Sequence, residues 1–190
     1  MFKDTGPELA VRPARERILL TAHELFYRDG IRATGIDRVI AESGVAKLTF
    51  YRHFPSKHEL VLAFLAHRHE RWMGWFSDAL QRHGGAARGL GVLVPTLAEW
   101  FGHGGYRGCA FINSVGEFGE AQPEVAEIAR AHKRDMTEAI AGLMPRKRTR
   151  DADAQVVALL VDGAIIRAQF DASPDAALKT LERALKALVA

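Results

Sequence analysis

A single cysteine, Cys109, occurs in the 190 residues, which excludes an intrachain disulfide and a cysteine-rich metal site. Long apolar runs are missing too. The most apolar stretch, VVALLV at 156–161, stops at Asp162, well short of a membrane span. The opening MFKDTGPELAVRPARER lacks the apolar run of a signal peptide, so a soluble cytoplasmic protein is expected. Gly-rich phosphate loops and nucleophile–base triads are absent. His67 and Arg71 stand four apart among other polar residues such as His69, but no carboxylate or third histidine completes a ligand set, and a solvated face is expected there. No catalytic residue, metal or cofactor is therefore expected. One enzyme can be drawn, with Cys109 as nucleophile and His103 or His132 as base. Against it stands the ordinary use of a lone cysteine as a small buried hydrophobe. Charge is nearly balanced, with 26 Lys and Arg against 23 Asp and Glu. The net +3 is matched by residues 12–60 alone, which hold nine basic and six acidic residues. That mild local excess suits nucleic acid without being diagnostic of it.

What is present is concentrated in residues 34–60, TGIDRVIAESGVAKLTFYRHFPSKHEL. Thr34 with Asp37 three residues on is a capping-box variant, expected to open a first helix with Ile36, Val39 and Ile40 on one face. Gly44 stops it, since a left-handed residue past a helix end carries little strain only in glycine. Val45 to His53 is expected as a second helix, with Phe50 and Phe54 four apart and inward. Lys47, Leu48, Tyr51 and Arg52 cluster on its other side. Ser56 and Glu59 form a second capping box that opens a long third helix. Helix, glycine turn and short helix with an outward basic and aromatic face is the helix-turn-helix pattern, whose second helix enters the DNA major groove. Spacing alone leaves a plain helical hairpin about as good a reading.

The wording decides between them. GVAKLTFYRHFPSKHEL closely resembles the recognition helix and following turn of TetR-type transcriptional regulators, whose usual form is Gly-Val-Ser-Lys-Gly-Thr-Leu-Tyr-x-His-Phe followed by a short Ser-Lys turn. Gly44, Val45, Lys47, Thr49, Tyr51, His53, Phe54, Ser56 and Lys57 match it. The resemblance extends upstream through Ala22, Leu25, Phe26, Gly30, Ala33 and Thr34, and more weakly to residues 106–134. This chain departs from the pattern at Leu48, where the family usually has glycine, at Phe50, where leucine is usual, and at Gly35, where Ser or Thr is usual.

The rest of the chain reads as helix throughout. Residues 13–29 carry Ile18, Ala22, Leu25 and Phe26 at helical spacing, ended by Gly30. A helix over 56–81 has Leu60, Val61, Phe64, Leu65, Trp72, Trp75, Phe76 and Leu80 inward. A helix over 86–101 is expected to kink at Pro95. Residues 107–118 read as a turn and short helix, with a buried strand at Phe111-Ile112 as the other reading. Pro123 opens a further helix, and 145–150 is a basic linker that reads as a solvated loop. The helix over 152–170 is apolar nearly all round and must be covered on more than one side. Ser173-Pro174-Asp175 caps a last helix striped with Leu178, Leu181, Leu185 and Leu188. The expected fold is all-α: a flexible N-terminal arm at 1–12, a three-helix helix-turn-helix DNA-binding head at 13–60, and a larger helical ligand-binding and dimerisation domain at 61–190.

Resemblance and geometry together assign the DNA contacts. Thr34 sits where a helix start favours phosphate. Thr49, Tyr51, His53 and Lys57 match family positions, the last three being ones commonly used on the DNA backbone. Lys47 and Arg52 are the candidates for guanine edges, and Leu48 either touches a thymine methyl or excludes some operators that a glycine would accept. For the second domain the resemblance implies two roles. One is a homodimer through the two C-terminal helices, bound to a palindromic double-stranded operator. The other is a pocket for a small-molecule effector, with Trp72, Phe76, Trp100, Cys109, Asn113, His132 and Met136 as lining. Glu117 and Asp162 are either polar anchors there or simply exposed. The function expected is a sequence-specific DNA-binding regulator, in the family's commoner mode a repressor released by a small apolar or aromatic ligand. The alternative within the same class senses redox state through Cys109.

Overall fold

The computed structural model describes residues 11–189, so most of the expected arm, residues 1–10, lies outside the described residues. Every regular element among them is helical: α1 (Ala14–Asp29), α2 (Ile36–Ser43), α3 (Lys47–His53), α4 (Lys57–Arg82), a 3-10 segment (Gly85–Val92), α5 (Leu93–Phe101), α6 (Ala110–Phe118), a short 3-10 turn (Gly119–Ala121), α7 (Pro123–Ala141), α8 (Arg150–Phe170) and α9 (Asp175–Val189). Two compact units result. One comprises Met1–His69 with Ala110–Ile128, the other Glu70–Cys109 with Ala129–Ala190. Helices α4 and α7 each run unbroken through a boundary between them.

The first unit is built on α1. Its Ile18, Ala22, Leu25 and Phe26 are buried as their spacing demands. Helices of eight and seven residues such as α2 and α3 are too short to persist alone, since isolated helices below about 12–15 residues are marginal in water. Their stability comes from Val39, Phe50 and Phe54, all essentially inaccessible. Burying each such side chain contributes about 1.5–3 kcal/mol. Gly44 adopts φ 63°, ψ 34°, the left-handed end expected of it. Ser56 accepts the Glu59 amide at 3.1 Å and so caps α4.

The core of this unit also holds a cation. Arg68 is 1% exposed, with its guanidinium 3.9 Å from the centre of the Tyr27 ring, and it donates to His23 Nε2 at 3.4 Å. His67 packs edge-on against His23 at 5.3 Å between centroids. The solvated face expected around His67 is therefore wrong at that residue.

The second unit corrects one expected helix. Residues 86–101 do not form a single helix kinked at Pro95. The break falls at Gly89, whose φ 58°, ψ −146° is open only to glycine, and Pro95 lies in the first turn of α5, where a missing amide breaks no helical bond. Residues 110–118 are helix, which settles the strand reading of Phe111-Ile112. On α8 the buried side is Val157, Val161 and Ile165. Tyr106 donates its hydroxyl to the Ile165 carbonyl at 2.7 Å, and Gln169 donates to the Arg107 carbonyl at 3.0 Å, so α8 carries the 102–109 loop.

Candidate nucleic-acid interface

The turn into α2 departs from the sequence expectation. Thr34 is not the cap: the residue at the start of α2 is Gly35, which has no side chain to bond the free amides there. Thr34 is fully buried, its hydroxyl donates to the Gly30 carbonyl at 2.8 Å, and its amide donates to the Ile31 carbonyl at 3.3 Å. With its hydroxyl and its amide both spent inside the turn, Thr34 cannot offer the phosphate contact expected of it. The physical reason is Gly30, whose φ of 93° turns its carbonyl toward the residue four positions on.

Beyond Gly44 the chain presents α3 as the sequence implies. Phe50 and Phe54 face inward, and Lys47, Leu48, Tyr51 and Arg52 face outward. Leu48 is 84% exposed. Tyr51 rests edge-on against Phe50 with centroids 5.3 Å apart, which steadies its hydroxyl end at the surface. Thr49 and His53 are half-buried beside this face. Lys47 lies 3.5 Å from an Asp37 oxygen, linking α3 to the first turn of α2.

Lys57 stands at the start of α4. Burial lowers its ammonium pKa below that of an ordinary lysine, with the Glu117 carboxylate acting in the opposite sense. A partly desolvated cation at a helix start has less water to shed when it meets a phosphate.

Two residues missed in the sequence brace this face. Arg17 reaches from α1 to the Gly44 carbonyl at 3.4 Å, and the Arg15 guanidinium lies 5.1 Å from the centre of the Phe54 ring. The cation of α2, by contrast, is neutralised: Arg38 bridges Asp29 at 2.9 Å and Glu42 at 2.8 Å. Of the two cations on α3, Lys47 meets Asp37 and Arg52 is exposed.

The residues expected to line a ligand pocket divide between the two units. Asn113 belongs to the first. Trp72, Phe76, Trp100, Cys109, His132 and Met136 belong to the second, all buried. Trp72 is the hub of an aromatic cluster, stacked on Phe76 at 4.6 Å and edge-on to Trp100 at 5.3 Å and His132 at 5.0 Å. Neither proposed anchor is simply exposed. Asp162 pairs with Lys133, and Glu117 accepts backbone amides within the first unit. Cys109 is 3% exposed, an environment that holds a thiol away from solvent oxidants. Among the described residues no group of three His, Cys, Asp or Glu is placed to hold a metal, and no helix is long and apolar enough to cross a membrane.

Comparison with known proteins agrees with this geometry. Residues 18–64, covering α1 through the start of α4, match the family model for bacterial regulatory proteins of the tetR family. The chain is 29% identical over 167 residues to the HTH-type transcriptional activator FasR of Mycolicibacterium smegmatis, covering 84% of this chain and 74% of that protein. It is 26% identical over 141 residues to the HTH-type transcriptional regulator UidR of Escherichia coli K12, covering 74% of this chain and 67% of UidR. The crystal structure of SCO4454, a TetR-family transcriptional regulator from Streptomyces coelicolor, superposes with a TM-score of 0.83 at 28% identity, over 99% of this chain and 96% of that one. These relatives are regulators and not enzymes, which removes the Cys109 nucleophile reading. A glycine-ended α2, an α3 with Phe50 inward and its basic side outward, and likeness to these regulators along most of the chain lead to one assignment: the chain belongs to the TetR family of DNA-binding transcriptional regulators.

Proposed function

We propose that this regulator is a two-fold dimer that represses at a palindromic operator and leaves it when a small apolar or aromatic molecule binds the second unit. The observation that carries the ligand half is the Trp72 indole N–H. It is buried among rings and has no acceptor among the described residues. A buried donor left unmatched costs about 1–3 kcal/mol, so a residue held this way favours a ligand that brings an acceptor. The Thr96 hydroxyl on α5, fully buried, is unmatched in the same sense. The ligand class is therefore an aromatic molecule with a carbonyl, ether or similar acceptor, held by Trp72, Phe76, Trp100, His132 and Met136.

What supports the dimer is α8. Val156, Leu159, Ile166 and Phe170 recur at three, seven and four residues along one side and are exposed by 46, 73, 41 and 64%. A stripe of that kind on a helix asks for a partner helix, and a second copy supplies one. Release follows from α4. It begins at the recognition turn and continues unbroken to Arg82, past Trp72 and Phe76, so a ligand that shifts those rings loads a helix whose first turn carries Lys57. By linkage DNA must weaken ligand binding by the factor by which ligand weakens DNA binding.

A thermal-shift screen of aromatic acceptors, followed by titration of hits into the protein–DNA complex, tests the reading. Tryptophan fluorescence should change on binding and DNA should be released. Hits that stabilise the protein yet leave DNA affinity unchanged would sink the release step. A reporter driven from the recovered operator separates repression from activation, the mode that FasR's name gives for that protein.

A further inference from the structure

The turn between α1 and α2 has to satisfy its own backbone, and its internal bonds do not reach the amides of Ile31 and Arg32. Gly30 N–H donates to the Phe26 carbonyl at 3.1 Å, Thr34 N–H to the Ile31 carbonyl at 3.3 Å, and the Thr34 hydroxyl to the Gly30 carbonyl at 2.8 Å. The amides of Ile31 and Arg32 are not taken by any of these. Both are taken by one side chain from α6: Glu117 Oε1 accepts from Ile31 N–H at 3.1 Å and Oε2 from Arg32 N–H at 2.6 Å.

Each carboxylate oxygen meets one of two consecutive amides, the arrangement that makes charge-assisted bonds both strong and directional. A Cβ at Gly30 would stand at ordinary contact distance, 3.5 Å, from Oε1, so the φ of 93° and not the space calls for glycine there. A second grip lies five residues further along the chain from Glu117, past α6, where Gln122 Oε1 and His58 Nδ1 of α4 are 3.2 Å apart. All of these residues belong to the first unit.

We infer that Glu117 is a positioning residue for operator recognition, holding the α1–α2 turn, and through it α2 and α3, in the orientation that reads DNA. It touches no base or phosphate itself. The inference rests on the family's DNA binding. Its discriminating feature is one of sign. A carboxylate near the DNA-binding cations, treated as a point charge, opposes DNA, so its removal would tighten binding. As a positioning residue, its removal loosens the turn and weakens binding.

The experiment uses the full chain and the duplex that the wild-type protein recovers from a random-sequence pool. Failure to recover any duplex would count against DNA binding itself and is thereby separable. Glu117→Ala should weaken binding roughly 5- to 150-fold, the usual range for coupling between sites. The slope of affinity against salt should stay unchanged, because no phosphate contact is lost. Lys57→Ala, removing a direct contact, should flatten that slope. Amide hydrogen exchange should speed at Ile31 and Arg32 with the rest of the unit protected. Glu117→Gln should fall between, since its side chain keeps one acceptor oxygen for two amides, and it carries the test if the alanine variant fails to fold. Unchanged or tighter binding overturns the inference. Faster exchange spread evenly over the unit overturns it too, as that would mark a merely structural role.

Discussion

Lys47 and Asp37 face each other at 3.5 Å, joining the first turn of the recognition helix to the first turn of the helix before it. Both side chains are open to water, 68 and 89% exposed, so the pair adds little to stability. Its effect is on charge at the DNA face. Asp37→Asn should leave thermal stability within about 0.5 kcal/mol of wild type. It should tighten DNA binding and steepen the salt dependence by about one phosphate contact. A loss of affinity would show that Asp37 holds Lys47 in its working position.

Arg52 and Lys57 should separate by kind of readout. Arg52 is exposed on the outward side of α3, and Arg52→Ala should relax preference at one position in each half-site by roughly 1–3 kcal/mol. Lys57→Ala should weaken all sequences alike and lower the salt slope by about one. Affinity measured on a panel of single-base operator variants at several salt concentrations distinguishes the two. Equal scaling by both substitutions would refute the division.

Thr34→Val tests the turn. Valine keeps the shape and removes the donor to the Gly30 carbonyl, which should cost about 1–3 kcal/mol in urea unfolding. The salt slope of DNA binding should not move. A slope reduced by one would restore Thr34 to the phosphate contacts.

The α8 stripe gives a test of assembly that spares the fold. Leu159 is 73% exposed, so Leu159→Glu should yield a folded monomer by light scattering, with helicity kept and operator binding lost. Leu181, 3% exposed, is the control: a charge there should unfold the chain. A Leu159→Glu protein that sizes as wild type would place any interface elsewhere.

Asp29 sets an acid limit. A hydrogen bond from Arg28, aided by the charges of Arg28 and Arg38, holds its carboxyl at about 2, below the ordinary 3.8. The folded value is the lower one, so this contribution is complete above the unfolded pKa and is lost as pH falls from about 4 toward about 2. Arg28→Gln should flatten the pH dependence of the unfolding midpoint in that window and leave it unaltered near neutrality. An unchanged acid slope would mean that Arg38 alone holds the carboxyl down.

How far these features could be read in advance depended on their range. Gly44, Phe50, Phe54 and the outward set of α3 were legible because glycine's backbone freedom and the 3.6-residue period act within a few positions. Pro95 misled because a proline's meaning depends on its distance from a helix start, and Gly89 rather than the proline broke the segment. Thr34 misled because a threonine before a helix has two uses for its hydroxyl, and the choice was made by the direction of the Gly30 carbonyl. Glu117 was beyond reach altogether. Its partners lie 85 and 86 residues away, and no local pattern records which backbone amides a fold will leave bare.

The first unit is discontinuous in sequence, and this bears on how such regulators can be recombined. A head excised at residue 69 would keep every helix of the helix-turn-helix and lose Glu117 and Gln122. Its turn amides would then face water, and His58 of α4 would lose Gln122. A chimera that grafts this DNA specificity onto a foreign sensor must therefore carry residues 110–128 along with the head. Equally, a ribosome that has released only the first seventy residues has not yet delivered a finished DNA reader. The recognition surface is complete only once the second stretch has arrived.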